Sequence, residues 1–229
     1  MTTALPDVYE SITTDVGVYA PQHDSHLLVE ALQCTGVAEG RNVLDVGTGS
    51  GVLAVAAAQL GAARVTAFDI CPRAVQCSQT NAAAAGVDVD VRRGSLSDAL
   101  ACGPFDVVVS NPPYVPVAPI AASHSAVTGP SWAWDAGSDG RLILDPLCAA
   151  APRLLAPGGT ILVVQSEFAD VYATVDALQA GGLAAEVVLW QWVPFGPVLS
   201  ARAKWLENTG QLRPGRREEL LAVVRADKR

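Results

Sequence analysis

Lysine is almost missing from this chain. Of 229 residues only Lys204 and Lys228 are lysines, and 23 acidic residues outnumber 15 basic ones, for a formal net charge of −8. Such a molecule repels phosphate backbones and lacks the basic footprint of a nucleic-acid binder, which weighs against DNA or RNA as its partner. With arginine and alanine plentiful, the lysine shortage reflects a GC-rich coding bias rather than function. Histidine is scarce too. His23, His26 and His124 lie far from any acidic or cysteine cluster, so no metal site is expected. The five cysteines, Cys34, Cys71, Cys77, Cys102 and Cys148, are odd in number and form no C-x-x-C pair. That excludes a disulfide framework and a zinc knuckle, and predicts reduced thiols in the core. No apolar run approaches the roughly 20 residues of a membrane-spanning helix, and "MTTALPDVYES" lacks the basic and apolar regions of a secretory signal. The expectation is a cytoplasmic protein without a membrane partner. There is no internal repeat.

What the chain has is apolar alternation on a large scale. Half of its residues are apolar, enough for one core, and 229 residues suit one domain, since single cores grow to roughly 250 residues. Short β-branched runs, "NVLDVG", "RVTAFD", "DVDVRR", "DVVVSN" and "TILVVQS", are separated by helix-like stretches, the pattern of a parallel sheet covered on both faces. "PRAVQCSQTNAAAA", opened by Pro72 and stopped by Gly86, reads as a crossover helix. "AEVVLWQW" and "ELLAVVRA" are two further strands, the last expected to return antiparallel. "DSHLLVEALQ" reads as a short leading helix. The fold class is therefore α/β, a doubly wound, mostly parallel, seven-stranded sheet in one domain over 1–229. Residues 1–40 form an N-terminal cover, and 193–217 a long loop between the last two strands.

In "VLDVGTGSGVLAV", Gly47, Gly49 and Gly51 stand where the first strand turns into a helix, letting a ligand lie against the backbone and the helix N-terminus. The spacing is G-x-G-x-G, with Val52 where a dinucleotide fingerprint needs a small residue. Asp45, two residues before the first glycine, favours a cationic ligand over a pyrophosphate. Asp69 ends the next strand, where a carboxylate can accept both hydroxyls of a ribose. A nucleoside with a cationic tail satisfies both carboxylates. The plainer reading is a tight turn, with Asp69 capping the next helix.

"SNPPYVP" closes the fourth strand, on the side where open α/β sheets bind ligands. Pro112 and Pro113 restrain the backbone around Asn111. The amide oxygen of Asn111 and the Pro112 carbonyl can accept both hydrogens of a planar NH2 group, and Tyr114 offers a flat face to it. A delocalised NH2 is a poor nucleophile. Two acceptors support the charge growing on its nitrogen, and alignment with a sulfonium methyl supplies much of the rest. The plainer reading is a rigid strand-to-loop turn.

With both motifs in place, the chain resembles the class I S-adenosylmethionine-dependent methyltransferases. Within them it is similar to the HemK-type enzymes, which methylate the side-chain amide of glutamine in translation release factors. "VYAPQHDSHLLVEAL", "LDVGTGSG", "FDICPRAV", "NPPYVP", "AGSDGR" and "LLAPGGTILVVQSE" stand in family order over nearly the whole chain. Lacking a preceding helical domain, it looks like the short branch, whose eukaryotic and archaeal members work with a small zinc-binding activating subunit. The resemblance implies that Ser25, Asp45, Gly47 and Gly49 contact the methionine end of S-adenosyl-L-methionine. Thr48 and Gly51 belong to the same loop, Asp69 and the following Ile70 to the ribose side, and Ser95 and Leu96 to the adenine. Asn111, Pro112 and Tyr114 would hold the substrate amide, with Asn111 also near the cofactor. Ser95 stands where many relatives carry aspartate, which implies weaker cofactor binding.

"WVPFGPVLSARAKWLENTGQLRPGRR" exceeds the family's usual short hairpin. Trp190, Trp192, Phe195 and Trp205 gather around it, so it is a candidate homodimer contact or a substitute for the activating subunit. Trp132 and Trp134 either cover the substrate or pack their loop on the core, and Asp139 reads as a helix cap. The expected function is N-methylation of a protein glutamine amide. A nucleic-acid amino-group methyltransferase is the alternative, disfavoured by charge, and a non-catalytic cofactor-binding scaffold the third reading.

Overall fold

The computed structural model describes residues 11–117 and 133–229. Within them seven strands form one sheet: β1 (Asn42–Val46), β2 (Arg64–Asp69), β3 (Asp90–Arg93), β4 (Phe105–Ser110), β5 (Leu155–Ser166), β6 (Ala184–Pro194) and β7 (Glu218–Asp227). Their spatial order is β3-β2-β1-β4-β5-β7-β6. The first five strands pair in parallel, and β7 runs antiparallel to both β5 and β6. This is the doubly wound α/β sheet with an antiparallel last strand that the apolar runs predicted. The helices are α1 (His23–Thr35), α2 (Val52–Gln59), α3 (Pro72–Ala84), α4 (Leu96–Ala101), α5 (Leu144–Leu154), α6 (Val171–Ala180) and α7 (Pro197–Asn208).

Central strands covered on both faces must be apolar along their length. Accordingly Val43 and Leu44 of β1, Val107 to Val109 of β4 and Ile161 to Val164 of β5 are all buried. Helix α2, "VLAVAAAQ", is apolar around nearly its whole circumference because it lies against β1, β2, α1 and α3 at once. Helix α3 starts with Pro72 at its first turn and ends before Gly86, whose φ of +67° stops it. The chain steps outward from β1 to β3 and then crosses back to β4. A crevice therefore opens where the order reverses, between the carboxyl ends of β1 and β4.

Four expectations change. The stretch 193–217 is no loop: it contains the twelve-residue helix α7, entered through Gly196 and Pro197. Val198, Leu199, Ala203 and Leu206 are its buried stripe, a helical period obscured by the glycines, prolines and aromatics around it. The aromatics there also form no single cluster. Trp205 packs on the core, whereas Trp190 and Trp192 are exposed, the first beside Tyr172 and the second under Arg216. Cys71, Cys77 and Cys148 are buried, but Cys34 and Cys102 are free thiols on the surface. No described helix is long and apolar enough to cross a membrane. Trp132 and His124 lie outside the described residues, while Trp134 is buried. Asp139 accepts from the Arg141 N–H at 3.0 Å, shaping a turn ahead of α5 rather than capping it.

Candidate functional site

The crevice is a cleft of about 1350 Å³, its open mouth included. Its floor is the turn after β1. Gly47 and Thr48 donate their N–H groups to the Phe68 carbonyl at 2.9 and 3.0 Å, fastening the turn to β2. Gly49, at φ +54°, aims its N–H at Asp69 Oδ2, 2.9 Å away. Gly51 has another reason to be glycine. At φ +86°, a Cβ there would lie 2.5 Å from Ser78 Oγ and 3.0 Å from Ser78 Cα, so it lets α2 approach α3. Over Gly47 and Gly49 an added Cβ would meet nothing within 4 Å, which leaves their faces open to a ligand.

Asp69 is buried at the cleft wall, and each oxygen accepts one backbone N–H: Oδ2 that of Gly49, Oδ1 that of Cys71 at 2.8 Å. Burial pushes its carboxyl up, and the Cys71 and Gly49 amides pull it back. Each oxygen keeps a further lone pair for a hydroxyl donor. Ser95 precedes α4, and its N–H and hydroxyl both donate to Asp98 Oδ2, at 2.7 and 2.8 Å. With its proton committed to Asp98, the Ser95 oxygen is left as an acceptor. Phe68, Ile70 and Leu96 make the surroundings apolar.

Asp45 lies under the glycine turn, fully buried and not on the cleft surface, and neither of its oxygens has a hydrogen-bond partner. Burial pushes its carboxyl up to about 7; the nearby Thr48 hydroxyl and Ala54 amide offset this in part, and the Asp69 charge adds to it. The Thr48 hydroxyl, on the cleft wall, is also buried without a partner.

Asn111 follows β4 on the opposite wall. Ser110 ties that strand end to β1 by donating to the Val46 carbonyl at 2.8 Å. A hydrogen-bond chain then sets the direction of the Asn111 amide. Asp24 Oδ1 accepts from the Ser25 N–H at 2.6 Å and from its hydroxyl at 3.4 Å. With its proton so directed, Ser25 Oγ accepts from Asn111 Nδ2 at 3.3 Å. The Asn111 nitrogen is thereby assigned to Ser25, and its Oδ1 stays available as an acceptor. Tyr114 donates to the other Asp24 oxygen at 2.8 Å. One buried carboxylate thus holds both ends of the motif, and the sequence reading did not single it out. The signal was the acid directly before Ser25 on the first turn of α1.

Within the expected N-terminal cover, the residues that roof the cleft were not singled out. Gly17, Val18, Tyr19 and Pro21 line the cleft. Buried Asn81 clamps this segment: its Oδ1 accepts from the Thr13 N–H and hydroxyl, each at 3.1 Å, and its Nδ2 lies 2.8 Å from the carbonyls of both Thr13 and Ser50. The clamp joins residue 13 to the glycine turn.

Of the residues expected at the site, Ser25, Gly47, Thr48, Gly49, Asp69, Ile70, Ser95, Leu96 and Asn111 line this one cleft. Asp45, Gly51, Pro112 and Tyr114 do not, and Pro113 does. The Tyr114 ring is buried and faces a smaller neighbouring hollow. The arrangement offers a groove with a carboxylate open to hydroxyl donors, an apolar end, a buried acid beneath the turn and an amide acceptor opposite. Among the described residues no cluster could hold a metal ion.

The family model for ribosomal protein L11 methyltransferases matches residues 23–130. The chain is 37% identical over 199 residues to the release factor glutamine methyltransferase of Deinococcus radiodurans, a match covering 85% of this chain and 68% of that protein. It is 32% identical over 186 residues to a Methanocaldococcus jannaschii protein provisionally named a protein N5-glutamine methyltransferase, covering 81% of this chain and 91% of the relative. Among solved structures, the E. cuniculi Mtq2–Trm112 complex, responsible for methylating the eRF1 termination factor, aligns with a TM-score of 0.60 at 20% identity, over 93% of this chain and 99% of that one. That last likeness shows the fold. By its relatives, its sheet order and its glycine turn, the chain is a methyltransferase and belongs to the HemK family of release factor glutamine methyltransferases.

Proposed function

We propose that the chain, acting over 1–229 as one methyltransferase unit, methylates the side-chain amide nitrogen of a glutamine in a protein such as a translation release factor, with S-adenosyl-L-methionine as donor. The carrying observation is the direction of Asn111. Its Nδ2 is given to Ser25, so its oxygen, on the cleft wall, can accept from an NH2 group.

The residues fit the donor. The open faces of Gly47 and Gly49, with Thr48, would receive the methionine end, and the unpartnered Asp45 beneath them supplies a negative field for its cationic centres. Asp69 would take the ribose hydroxyls, and Ser95, as acceptor, the adenine amino group between Phe68, Ile70 and Leu96. When bound, the cofactor supplies a methyl group activated by its sulfonium. The protein's task is to hold the amide nitrogen, support the charge that grows on it and exclude water.

Asp24 acts through Ser25 and Tyr114 as a positioning residue. Asp24→Asn should lower kcat about tenfold while changing the cofactor's Kd little. An unaltered kcat would show that Asn111 is oriented by something else.

The deciding experiment transfers labelled methyl into host extract pretreated with nuclease or protease. Label that survives nuclease and is lost with protease supports the glutamine reading, and label lost only with nuclease overturns it in favour of a nucleic-acid acceptor. Purified chain that labels the purified acceptor at full rate would remove an activating subunit from the proposal. Action on a translation factor places the enzyme in the cytoplasm.

A further inference from the structure

Beside the cleft lies a second hollow of about 430 Å³, mouth included. Asp24 and Glu219 stand on its wall at 4% and 6% exposure. Both Asp24 oxygens accept hydrogen bonds. Glu219 Oε2, in contrast, is buried with no partner. Burial pushes this carboxyl up to about 7; the Ser166 hydroxyl draws it back, Asp24 and Glu167 raise it further, and Arg216 lowers it. Arg216 is itself engaged, paired with Glu167 and stacked 4.7 Å from the Trp192 ring centre. A carboxyl so placed keeps a proton or takes a cation.

We propose that this hollow is a subsite for a cationic side chain, guanidinium or ammonium, carried by the protein substrate next to the glutamine that enters the cleft. The assignment rests on the glutamine reading and extends it. Tyr19 lines both cavities, and Tyr114, on the hollow, directly follows Pro113, on the cleft, so neighbouring substrate residues can occupy the two together. Both tyrosines line the hollow, and the two carboxylates offer a cation charge. Gly196, Pro197, Val198 and Leu199, at the start of α7, close the wall. Arg202 of α7 braces the loop after the motif, donating to the Pro116 carbonyl at 2.7 Å and pairing with Asp135. The extra helix thus supplies one wall of the acidic hollow beside the motif.

The test uses Nα-acetyl-arginine amide and its neutral counterpart Nα-acetyl-citrulline amide, titrated into the full chain and followed by NMR. The arginine probe should bind about tenfold more tightly than the citrulline probe, and Glu219→Gln should erase the difference. Equal binding of the two probes to the wild type, no binding of either, or an arginine preference that survives in a folded Glu219→Gln variant each overturns the subsite. The wild-type comparison stands whether or not the variant folds. Neither probe carries glutamine, so this reading is separate from methyl transfer. In a parallel assay on glutamine peptides, transfer indifferent to a neighbouring arginine removes the subsite. Charge-selective probe binding without methylation of any glutamine peptide keeps the subsite and removes the glutamine assignment.

Discussion

Asn111→Ala should reduce single-turnover methyl transfer by about a thousandfold, the scale seen when a transition-state hydrogen-bond partner is removed. The fold should survive, because Asn111 is only half-buried and its side chain makes one long bond among the described residues, 3.3 Å to Ser25. Losing such a contact costs about 0.5–1.5 kcal/mol. Cofactor affinity should stay within about threefold, since the glycine turn, Asp69 and Ser95 are untouched. The asymmetry between rate and binding is the signature sought. A variant that turns over normally would end the mechanism, whereas parallel loss of binding and rate would assign Asn111 to the cofactor alone.

The second large effect concerns Asp45 and pH. Its carboxyl rises from an ordinary 3.8 to about 7 in the folded protein, chiefly through burial. The unfolded chain gives up that proton near pH 4 and the folded chain holds it to about pH 7, so the contribution to stability is complete below pH 4 and lost as pH rises to 7. The loss amounts to roughly 4 kcal/mol. Glu219, also pushed to about 7 by burial, acts in the same direction. Asp45 and Glu219 therefore draw the melting temperature down between about pH 4 and pH 7, while Asp90, Asp98 and Glu207, whose carboxyls are held low by Arg92, Ser95 and Arg217 respectively, act the other way below pH 4. Asp45→Asn should flatten that profile and raise the melting temperature at pH 8, yet weaken S-adenosylmethionine about tenfold by removing the negative field beneath the turn. Calorimetric melts of both proteins across this range check the claim. A wild-type profile that falls no more steeply from pH 4 to pH 7 than that of Asp45→Asn would contradict it.

Strand runs, glycine turn and "NPPY" were legible because each is written in consecutive residues. β-Branched runs reveal buried parallel strands, Gly47 to Gly51 a turn, and Asp69 its distance from Gly49. Helix α7 was harder, since its buried positions 198, 199, 203 and 206 are interleaved with Arg202, Lys204 and Trp205 and preceded by "PFGP". Asp24, Asn81 and Glu219 could not be assigned from sequence. Asp24 and Asn81 owe their roles to partners distant in the chain, Tyr114 at 90 residues and Thr13 at 68, and Glu219 owes its role to burial without a partner for Oε2.

Local pattern by itself determined the fold class, the glycine turn and the rigid "NPPY" strand end, because backbone angles and strand burial depend on neighbouring residues. Tertiary structure alone decided which way the Asn111 amide faces, that Tyr114 turns away from the cleft, and that Glu219 stands unpartnered in a second hollow. Hydrogen-bond direction and desolvation are set by what packs against a group in space, and the contacts that set them here join the first turn of α1, the end of β4 and β7.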